Sequence, residues 1–355
     1  MPIESFSRPL TVAVVGATGL VGRTMISLLA ERGFPVAELR PLASRADGRT
    51  VDFAGRSWPV GVTTPDAFES VDIALFSAGG GASKVFAPEA AARGAVVVDN
   101  SSQWRMEPGV PLVVAGVNDE DARDHEGIIA NPNCSTMQLM PLLKALRDSA
   151  GLERVIVDTY QSVSGTGHKA VAELEGQVKA WAADEPMQHA VYPHQVAFNA
   201  LPHIDVFMDS GYTKEEWKVS VESRKILHLP DLPISCTAVR IPVFTAHSEA
   251  VHVELTGTMS PAEARRLFAS VPGVIVRDDP ANAVYPLATE AAGRDEVFVG
   301  RIRADASLPE GKGLAFWVVS DNLRKGAATN AVEIAEIVAR HDWLAAASRR
   351  AVGTA

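Results

Sequence analysis

Residues 11–22 read TVAVVGATGLVG, and this stretch decides the fold of the first part of the chain. Its first five residues are largely apolar and β-branched and predict a buried strand, while the helix predicted over 20–32 ends at Gly33. The glycines between strand and helix let the backbone turn tightly, so that a pyrophosphate can approach the helix N-terminus. The spacing G-x-x-G-x-x-G is less specific than the commoner G-x-G-x-x-G, and a plain tight turn is the alternative.

The alternation of short apolar runs with helical stretches continues through the first third of the chain. Further strands are predicted at 71–76, 95–99, 112–115 and 127–130, and an alanine-rich helix at 82–93. Alternating strands and helices are typical of a parallel sheet covered by helices. We therefore predict an α/β chain that begins with a Rossmann-like, doubly wound dinucleotide-binding domain.

After residue 134 the pattern changes to longer β-rich stretches. Strands are predicted at 153–163, 235–243, 249–258, 296–303 and 313–319, and helices near 168–183, 213–227, 260–270 and 326–346. Strands in runs favour an antiparallel or mixed sheet with helices on one face, which is an α+β domain. We place the domain boundary near residue 133, and expect the amphipathic C-terminal helix to pack back onto the first domain.

Composition limits the cellular context. The 355 residues include only two cysteines, about a hundred positions apart, which excludes a disulfide framework and favours a reducing compartment. The first ten residues, MPIESFSRPL, lack the basic start and apolar core of a secretory signal. No apolar run approaches the roughly 20 residues of a membrane span. We predict a cytoplasmic protein.

The net charge restricts the partners. A formal charge of −10 repels nucleic acid and anionic membranes at long range, so we expect neither as a partner. The same field disfavours an anionic substrate. If the substrate is anionic, a local cluster of arginine and lysine must overcome the overall sign.

The end of the second predicted strand bears on coenzyme choice. NAD-binding domains usually carry an acidic residue there, which accepts a hydrogen bond from the ribose 2′-hydroxyl. Here the chain has Ser44 and Arg45, a hydroxyl and a cation that suit a 2′-phosphate and hence NADP. Two alternatives stay open: Arg45 is a solvated loop residue, or the nearby Asp47 is a ribose ligand.

A cysteine stands at the start of a predicted helix in the sequence NPNCST, residues 131–136. The positive end of a helix dipole favours the thiolate, which makes Cys134 a candidate nucleophile. The alternative, a small buried hydrophobe, is opposed by the polar neighbours. Pro141 is expected to kink or shorten the helix, too far along to spoil this effect. Cys236 lies inside a β-branched run with no helix following, so we expect it to pack in a sheet.

Seven segments together resemble the aspartate-semialdehyde dehydrogenase family, in the order found there and over nearly the whole chain. They are residues 16–19 (GATG), 77–80 (SAGG), 99–105 (DNSSQWR), 131–136 (NPNCST), 161–165 (QSVSG), 240–243 (RIPV) with His247, and 321–326 (DNLRKG). The resemblance implies NADPH-dependent reduction of L-β-aspartyl phosphate to aspartate semialdehyde and phosphate, a step that feeds lysine, methionine, threonine and diaminopimelate synthesis. It also implies a homodimer or homotetramer.

The resemblance assigns roles to individual residues. Cys134 corresponds to the nucleophile, Gln161 to the residue that orients the acyl group, and His247 to the general acid/base. Through a thioester on Cys134, acyl transfer and hydride delivery become separate steps. It implies an NADP-binding domain of residues 1–133 joined by the C-terminal helix 324–355, and a catalytic and dimerisation domain of residues 134–323.

Substrate and cofactor contacts are implied in the same way. Arg240 corresponds to a bidentate clamp on the substrate α-carboxylate. Arg105, Asn133 and Lys218 correspond to phosphate ligands, and Glu215 to the partner of the substrate ammonium, with Glu216 next to it as the alternative. The implied NADP contacts are Gly16, Thr18, Gly19, Leu20, Val21, Ser44, Arg45, Ser164, Gly165 and Asn322.

Plainer interpretations remain for these residues. His247 could be a core or loop histidine between two strands, Gln161 and Arg240 polar strand ends, and Glu215 and Lys218 an i,i+3 surface pair. No histidine shows metal-ligand spacing, so we predict no metal. The rival functions are N-acetyl-γ-glutamyl-phosphate reductase, which usually carries glycine before the cysteine, and a non-catalytic NADP-binding regulator, which would have lost Cys134 or His247.

Overall fold

The computed structural model describes Phe6 and residues 8–346. The chain divides into two compact units, one of Met1–Asn133 with Ala327–Ala355 and one of Cys134–Gly326. Within the described residues, none of the helices has the length and apolar character that crossing a membrane requires.

The secondary structure comprises fourteen strands and eight α-helices within the described residues. The strands are β1 (Leu10–Val15), β2 (Val36–Ala43), β3 (Thr50–Phe53), β4 (Arg56–Pro59), β5 (Gly61–Val62), β6 (Ile73–Phe76), β7 (Val96–Asp99), β8 (Ile128–Ala130), β9 (Leu152–Gln161), β10 (Ile234–Arg240), β11 (His247–Leu255), β12 (Val274–Val276), β13 (Val297–Ala304) and β14 (Gly313–Ser320). The helices are α1 (Leu20–Glu31), α2 (Gly80–Ala92), α3 (Cys134–Ala150), α4 (His168–Ala182), α5 (Lys214–Ile226), α6 (Pro261–Ala269), α7 (Ala288–Ala291) and α8 (Asn330–Arg340).

The first unit is built on a six-stranded sheet in the order β5-β2-β1-β6-β7-β8, and every pairing in it is parallel. Alternate residues of β1 face opposite layers. Val12 and Val14 pack with α1 and α8, whereas Ala13 and Val15 pack with α2. Helices therefore cover both faces of a parallel sheet, and the predicted Rossmann-like architecture is confirmed.

The strand predicted at 112–115 is wrong. Only Leu112 forms a bridge, to Ala130 of β8, and the N–H of Val113 donates to the carbonyl of the same residue at 3.1 Å. From Val114 to Gly116 the backbone N–H groups bond to side chains instead of a strand. The Oδ1 of Asn118 accepts from the N–H of Val114 at 2.9 Å, and the Oδ1 of Asn330 accepts from that of Ala115 at 2.8 Å. Because side-chain amides satisfy these backbone groups, no ladder is needed to satisfy them.

The second unit holds a mixed six-stranded sheet in the order β10-β9-β11-β14-β13-β12. The pairs β10–β9 and β12–β13 are parallel, and the three pairs between them are antiparallel. Helices α3 and α6 pack on one face, where Phe268 of α6 meets Phe316 of β14 at 5.4 Å between ring centroids. This mixed sheet with its helices confirms the predicted α+β class for this part of the chain.

Helix α3 continues through Pro141 to Ala150, so the predicted shortening did not occur. The ring removes one N–H from the helix ladder, but a largely buried face, which includes Met137, Leu139, Leu142, Leu143 and Leu146, holds the segment in place. The helix therefore begins at Cys134 with its first turn intact.

Candidate active site

Cys134 is the first residue of α3 and is half-buried, and it is a thiol that forms no disulfide. The N-terminus of a helix carries a partial positive charge, which stabilises a thiolate. Gly326 lies against it, since a Cβ added there would come within 2.9 Å of the Cβ of Cys134. Any other residue at 326 would therefore displace the thiol-bearing side chain.

Cys236 lies in the middle of β10 and is only 2% exposed. Burial raises the pKa of this thiol well above its usual range, and the carboxylates of Glu216 and Glu215 raise it further. A thiol in this setting stays protonated. The structure therefore places the two cysteines in opposite environments, as the sequence indicated.

His247 begins β11 and is fully buried. The N–H of Ser162 donates to its Nδ1 at 3.1 Å, and because an N–H can only donate, the neutral ring carries its proton on Nε2. Burial, helped by the positive charge of Arg240, lowers the pKa of His247 to about 3. Nε2 has no hydrogen-bond partner among the described residues. The site thus holds a neutral imidazole with one unused donor.

Arg240 ends β10 and is 4% exposed. Its Nη1 donates to the carbonyl of Ser162 at 2.5 Å, and its Cζ lies 5.9 Å from the centroid of the Tyr192 ring. Its Nε has no acceptor, and no carboxylate pairs with the guanidinium within the described part of the chain. A buried arginine without a counter-ion is costly unless an anion completes it.

Gly165 brings these two side chains together. A Cβ added to it would come within 3.1 Å of Nη1 of Arg240 and 3.2 Å of Nε2 of His247. The guanidinium and the imidazole donor therefore border the same small space. Glycine is needed because any side chain would crowd both groups.

Gln161, at the end of β9, links the helix that begins at Cys134 to the carboxylate of Glu215. Its Nε2 lies 2.8 Å from Oγ of Ser135 and 3.1 Å from Oε1 of Glu215. The other oxygen of Glu215 accepts from Nζ of Lys218 at 3.1 Å, and Lys218 also donates to Asp205 at 2.7 Å. Burial lowers the pKa of Lys218, but the two carboxylates outweigh it and the net direction is upward. The lysine stays charged.

Glu216 has a different role from Glu215. Its Oε2 accepts from the N–H of Thr213 at 2.6 Å, which completes a capping box at the start of α5. Its Oε1 accepts from the N–H of Ala238 in β10 at 2.9 Å. Both oxygens are used structurally, so Glu215 is the carboxylate that points toward Gln161 and Lys218.

Asn322 and Ser164, predicted as cofactor contacts, form a buried network with Ser162. The Oδ1 of Asn322 accepts from both hydroxyls at 3.1 Å and from the N–H of Ala246 at 3.0 Å. Its Nδ2 lies 2.9 Å from Oγ of Ser164. These contacts order the backbone that precedes His247. Ser162, which holds Nδ1 of His247, was not singled out from the sequence.

In the first unit, the glycine turn closes tightly. Gly16 has a φ of +85°, and its N–H donates to the carbonyl of Leu42 at 2.8 Å. A Cβ on Gly16 would lie 2.3 Å from the carbonyl oxygen of Ser77, and a Cβ on Gly22 would lie 2.2 Å from that of Gly16. Leu20 and Val21 open α1 directly after Gly19. The turn has the form that a bound pyrophosphate requires.

A cavity in this unit adjoins the turn. Its lining is Val15, Gly16, Thr18, Gly19, Ala43, Ser44, Thr63, Ser77, Ala78, Ala82 and Phe86. Ser44 and Arg45 are both exposed at the end of β2. Asp47 lies 3.5 Å from Nη2 of Arg49, whereas no hydrogen bond or ion pair occupies the Arg45 guanidinium within the described residues. Thr63 and Phe86 had no sequence motif to mark them.

The predicted phosphate ligands Arg105 and Asn133 are both buried in the first unit. Nε of Arg105 donates to the carbonyl of Asn131 at 2.9 Å, and Nη2 donates to that of Asn100 at 2.8 Å. Two backbone carbonyls thus hold the guanidinium, and both belong to segments that the sequence motifs marked.

Comparisons with known proteins agree with this geometry. Residues 11–125 match the family model "Semialdehyde dehydrogenase, NAD binding domain", and residues 143–325 match "Semialdehyde dehydrogenase, dimerisation domain". The chain is 54% identical to the aspartate-semialdehyde dehydrogenase of Aquifex aeolicus (strain VF5), over 93% of this chain and 98% of that protein. The chain belongs to the aspartate-semialdehyde dehydrogenase family.

Further similar proteins support the assignment to the aspartate-semialdehyde dehydrogenase family. The Bacillus subtilis (strain 168) aspartate-semialdehyde dehydrogenase is 48% identical, over 93% of this chain and 97% of that protein. Crystal structures of aspartate semialdehyde dehydrogenase II from Vibrio cholerae, one of them complexed with ASA, have a TM-score of 0.90 at 45% identity, covering 94% of this chain and 99% of theirs. The resemblance inferred from the motifs is confirmed, and the first unit contains a nicotinamide dinucleotide-binding domain.

Proposed function

We propose that this chain is an aspartate-semialdehyde dehydrogenase that converts L-β-aspartyl phosphate to L-aspartate 4-semialdehyde and phosphate. The names of its relatives and the ASA complex of the Vibrio cholerae protein support this substrate. The product belongs to the biosynthesis of lysine, methionine, threonine and diaminopimelate, as the motif resemblance implies.

One observation carries the proposal. Arg240 and His247 present two buried donors, Nε and Nε2, that have no acceptor within the described residues, and Gly165 adjoins both side chains. Buried donors in native proteins nearly always have partners, so the missing acceptor belongs to a ligand. The guanidinium fork suits a carboxylate, which the aspartyl substrate supplies.

The group formed by Glu215, Asp205 and Lys218 suits the ammonium group of the substrate. Glu215 and Asp205 contribute two negative charges to one positive charge from Lys218, so the group has a net charge of −1. We assign the substrate ammonium to Glu215 rather than Glu216, because the helix cap and β10 occupy both oxygens of Glu216. Lys218 stays a predicted phosphate ligand, and it must exchange a carboxylate contact to bind phosphate.

The thiolate of Cys134 attacks the acyl carbon, the bond from that carbon to the phosphate oxygen breaks, and a thioester remains. A bound nicotinamide dinucleotide supplies the hydride for reduction. Hydride addition to the thioester carbonyl leaves an oxyanion on the tetrahedral adduct, and His247, neutral with its proton on Nε2, stabilises it by donating a hydrogen bond. As that oxygen forms the carbonyl again, the C–S bond breaks. The aldehyde leaves, and Cys134 returns to the thiolate. Gln161 holds the acyl group in position.

We propose NADP as the dinucleotide. The glycine turn fits a pyrophosphate because a Cβ at Gly16 or Gly22 would fill it. The exposed Arg45 and Ser44 suit a 2′-phosphate, and Asp47 pairs with Arg49. The turn, Ser44 and Arg45 would hold the adenosine side, while Ser164, Gly165 and Asn322 remain predicted contacts from the second unit.

One assay tests the reaction. NADPH oxidation is followed with β-aspartyl phosphate and with N-acetyl-γ-glutamyl phosphate, side by side. We expect turnover only with the aspartyl substrate. Preference for the N-acetyl-glutamyl substrate identifies the reductase instead, and NADPH binding without any turnover identifies a regulator.

We further propose a homodimer, because the second unit matches a dimerisation domain model. Light scattering after gel filtration tests this, and a tetramer or a monomer contradicts it. The cytoplasmic location and the lack of a metal stay predictions. Among the described residues, no three histidine, cysteine or acidic side chains cluster in a way that could hold a metal ion.

A further inference from the structure

Glu249 is fully buried in β11, and neither of its carboxyl oxygens has a hydrogen-bond partner among the described residues. Nearly all buried polar groups in native proteins are paired, and an unpaired buried carboxylate is among the most costly. The proposed mechanism does not use this side chain. Its burial therefore needs a separate explanation.

Glu249 lies on the strand that carries His247 and is approached from the helix that carries Cys134. It points to the same face of β11 as His247, two residues before it, because side chains alternate along a strand. Gln138 of α3 lies close enough to Glu249 to lower the pKa of its carboxyl group, against the larger and opposite effect of burial. Gln138 follows Cys134 by four residues, which places it one helical turn further along the same side of α3.

Other unpaired polar atoms occur on these same elements. Nε2 and Oε1 of Gln138, Oγ1 of Thr136 and Oγ of Ser320 are buried and have no partner in the part of the chain that is described. Ser320 is the register partner of His247, and Thr159 is that of Glu249. We call Thr136, Gln138, Glu249 and Ser320 the inner polar cluster. Its members belong to α3, β11 and β14.

The surroundings determine the charge of Glu249. No lysine or arginine forms an ion pair with it within the described residues. Cys236 interacts with it electrostatically, and the elements around it carry further titratable groups: His247 on β11, Asp158 and Tyr160 on β9, and Cys134 and Lys144 on α3. Burial raises its pKa well above the usual value. An isolated carboxylate in such a place takes up a proton. A protonated carboxyl group can donate one hydrogen bond and accept others, which matches the amide of Gln138.

We propose that Glu249 is a neutral carboxylic acid whose hydrogen bonds, direct or through trapped water, tie Gln138 of the Cys134 helix to the His247 strand. This makes Glu249 a positioning residue for the reaction, and the proposal rests on the function proposed above. A trapped water would satisfy unpaired atoms of the inner polar cluster, since a buried water makes two to four hydrogen bonds to polar partners.

The neutral state matters for the thiolate. An ionised Glu249 would place a negative charge in the low-dielectric interior behind α3, and like charges would oppose formation of the Cys134 thiolate. A neutral Glu249 holds α3 in position without opposing the Cys134 thiolate. Glutamine should therefore replace Glu249 well, while an apolar residue should not.

Two variants and a control test this through turnover. We expect Glu249→Gln to keep kcat within about threefold of the parent. Glu249→Leu should lower kcat by about tenfold to a hundredfold with little change in KM, because it loosens the position of Cys134 relative to His247. The control is Glu254→Gln on the same strand, which pairs with Arg154 at the surface and should change neither constant. If Glu249→Leu keeps the parental kcat, Glu249 has no positioning role.

Two measurements without substrate separate this proposal from the reaction itself. The infrared carbonyl stretch of a protonated carboxylic acid should be present in the parent at neutral pH and absent in Glu249→Gln. The pH dependence of Cys134 alkylation, followed by peptide mapping, should be the same in both. Absence of the infrared band, or alkylation that shifts to lower pH in Glu249→Gln, shows an ionised Glu249. Failure of the proposed reaction would appear instead as an inactive parent enzyme.

Discussion

The glycine turn of the first unit and the polar interior of the second are both suited to anionic molecules, but by opposite means. The turn uses backbone: no side chain would fit at Gly16 or Gly22, and the helix N-terminus supplies the positive potential. The second unit uses buried side chains, of which Arg240 and His247 keep donors that find no acceptor among the residues the structure describes. Damage to the first should alter folding and coenzyme affinity, whereas damage to the second should alter turnover.

The largest expected effect separates the two cysteines of the second unit. Cys134→Ala should lower kcat by about 10⁴-fold or more, because no other group can form the thioester. Cys236→Ala is the matched control and should keep most activity, since that thiol is buried and protonated. Alkylation with peptide mapping should label Cys134 first. Preferential labelling of Cys236 with loss of activity would reverse the assignment.

In the first unit, Gly16→Ala should cost about 3 kcal/mol of unfolding free energy or more, since strain at positive φ adds to a backbone clash. Gly33 provides the control, with a φ of +63° but no atom of the described residues within 4 Å of an added Cβ. Gly33→Ala should cost only about 1 kcal/mol. Urea unfolding measures both. Equal costs would show that crowding at the turn contributes nothing.

Arg240→Lys keeps the charge and removes the guanidinium fork. We expect kcat/KM to fall by about a hundredfold, because a misplacement of about 1 Å at the reacting atoms costs that much. Thermal unfolding and NADPH binding should stay near the parental values. Arg154→Lys, in a surface pair with Glu254, is the control and should be silent. Loss of stability in step with activity would indicate a structural arginine instead.

The coenzyme preference depends on side chains even though the turn depends on backbone. Arg45→Ala should raise KM for NADPH by about tenfold, which is the value of one charge-assisted hydrogen bond, and leave KM for NADH nearly unchanged. Arg56→Ala, which removes a cation over Trp58 in the β3–β4 hairpin, is the control. If the native enzyme uses NADH and NADPH equally well, the 2′-phosphate assignment is wrong.

The smallest effect concerns pH. His247 has a folded pKa of about 3 against 6.5 in the unfolded chain, so below pH 6.5 only the unfolded state gains the proton. Stability is therefore lost as pH falls from 6.5 toward 3, by about 1 kcal/mol at a pH near 5.5. Urea unfolding at pH 6.5 and at about pH 5.5 measures this loss, and His247→Gln should remove it. The exposed His341→Gln should not, and an unchanged slope in His247→Gln would contradict the shift.

Periodicity predicted most of the fold. Strands β9, β11 and β14 and helices α4 and α5 lie within a few residues of the predicted ranges. Short elements were missed because three or four residues carry no periodic signal, as in β12. The error at 112–115 has a different cause: Asn330 lies more than two hundred residues away, and no local pattern shows that its amide takes the backbone bonds of that segment.

The sequence likewise predicted some features of the candidate site and not others. Motifs supplied the candidate residues, and one further signal was present but unused: Thr213-x-x-Glu216 is a capping-box pattern, which separates Glu216 from Glu215. The isolation of Glu249 had no such signal, because it depends on which side chains fail to reach it. The roles of the site residues stay predictions until the variants above are measured.

Glu216 has one more consequence, for the solubility of the molecule. Strand β10 forms an edge of the second sheet, and an open edge is a template on which another chain can add a strand and start aggregation. Here Glu216 takes the N–H of Ala238, Ser220 lies 3.4 Å from the carbonyl of Ile234, and Leu201 bonds both backbone groups of Arg240. The strand that ends at Arg240 is thereby shielded from strand addition at these positions.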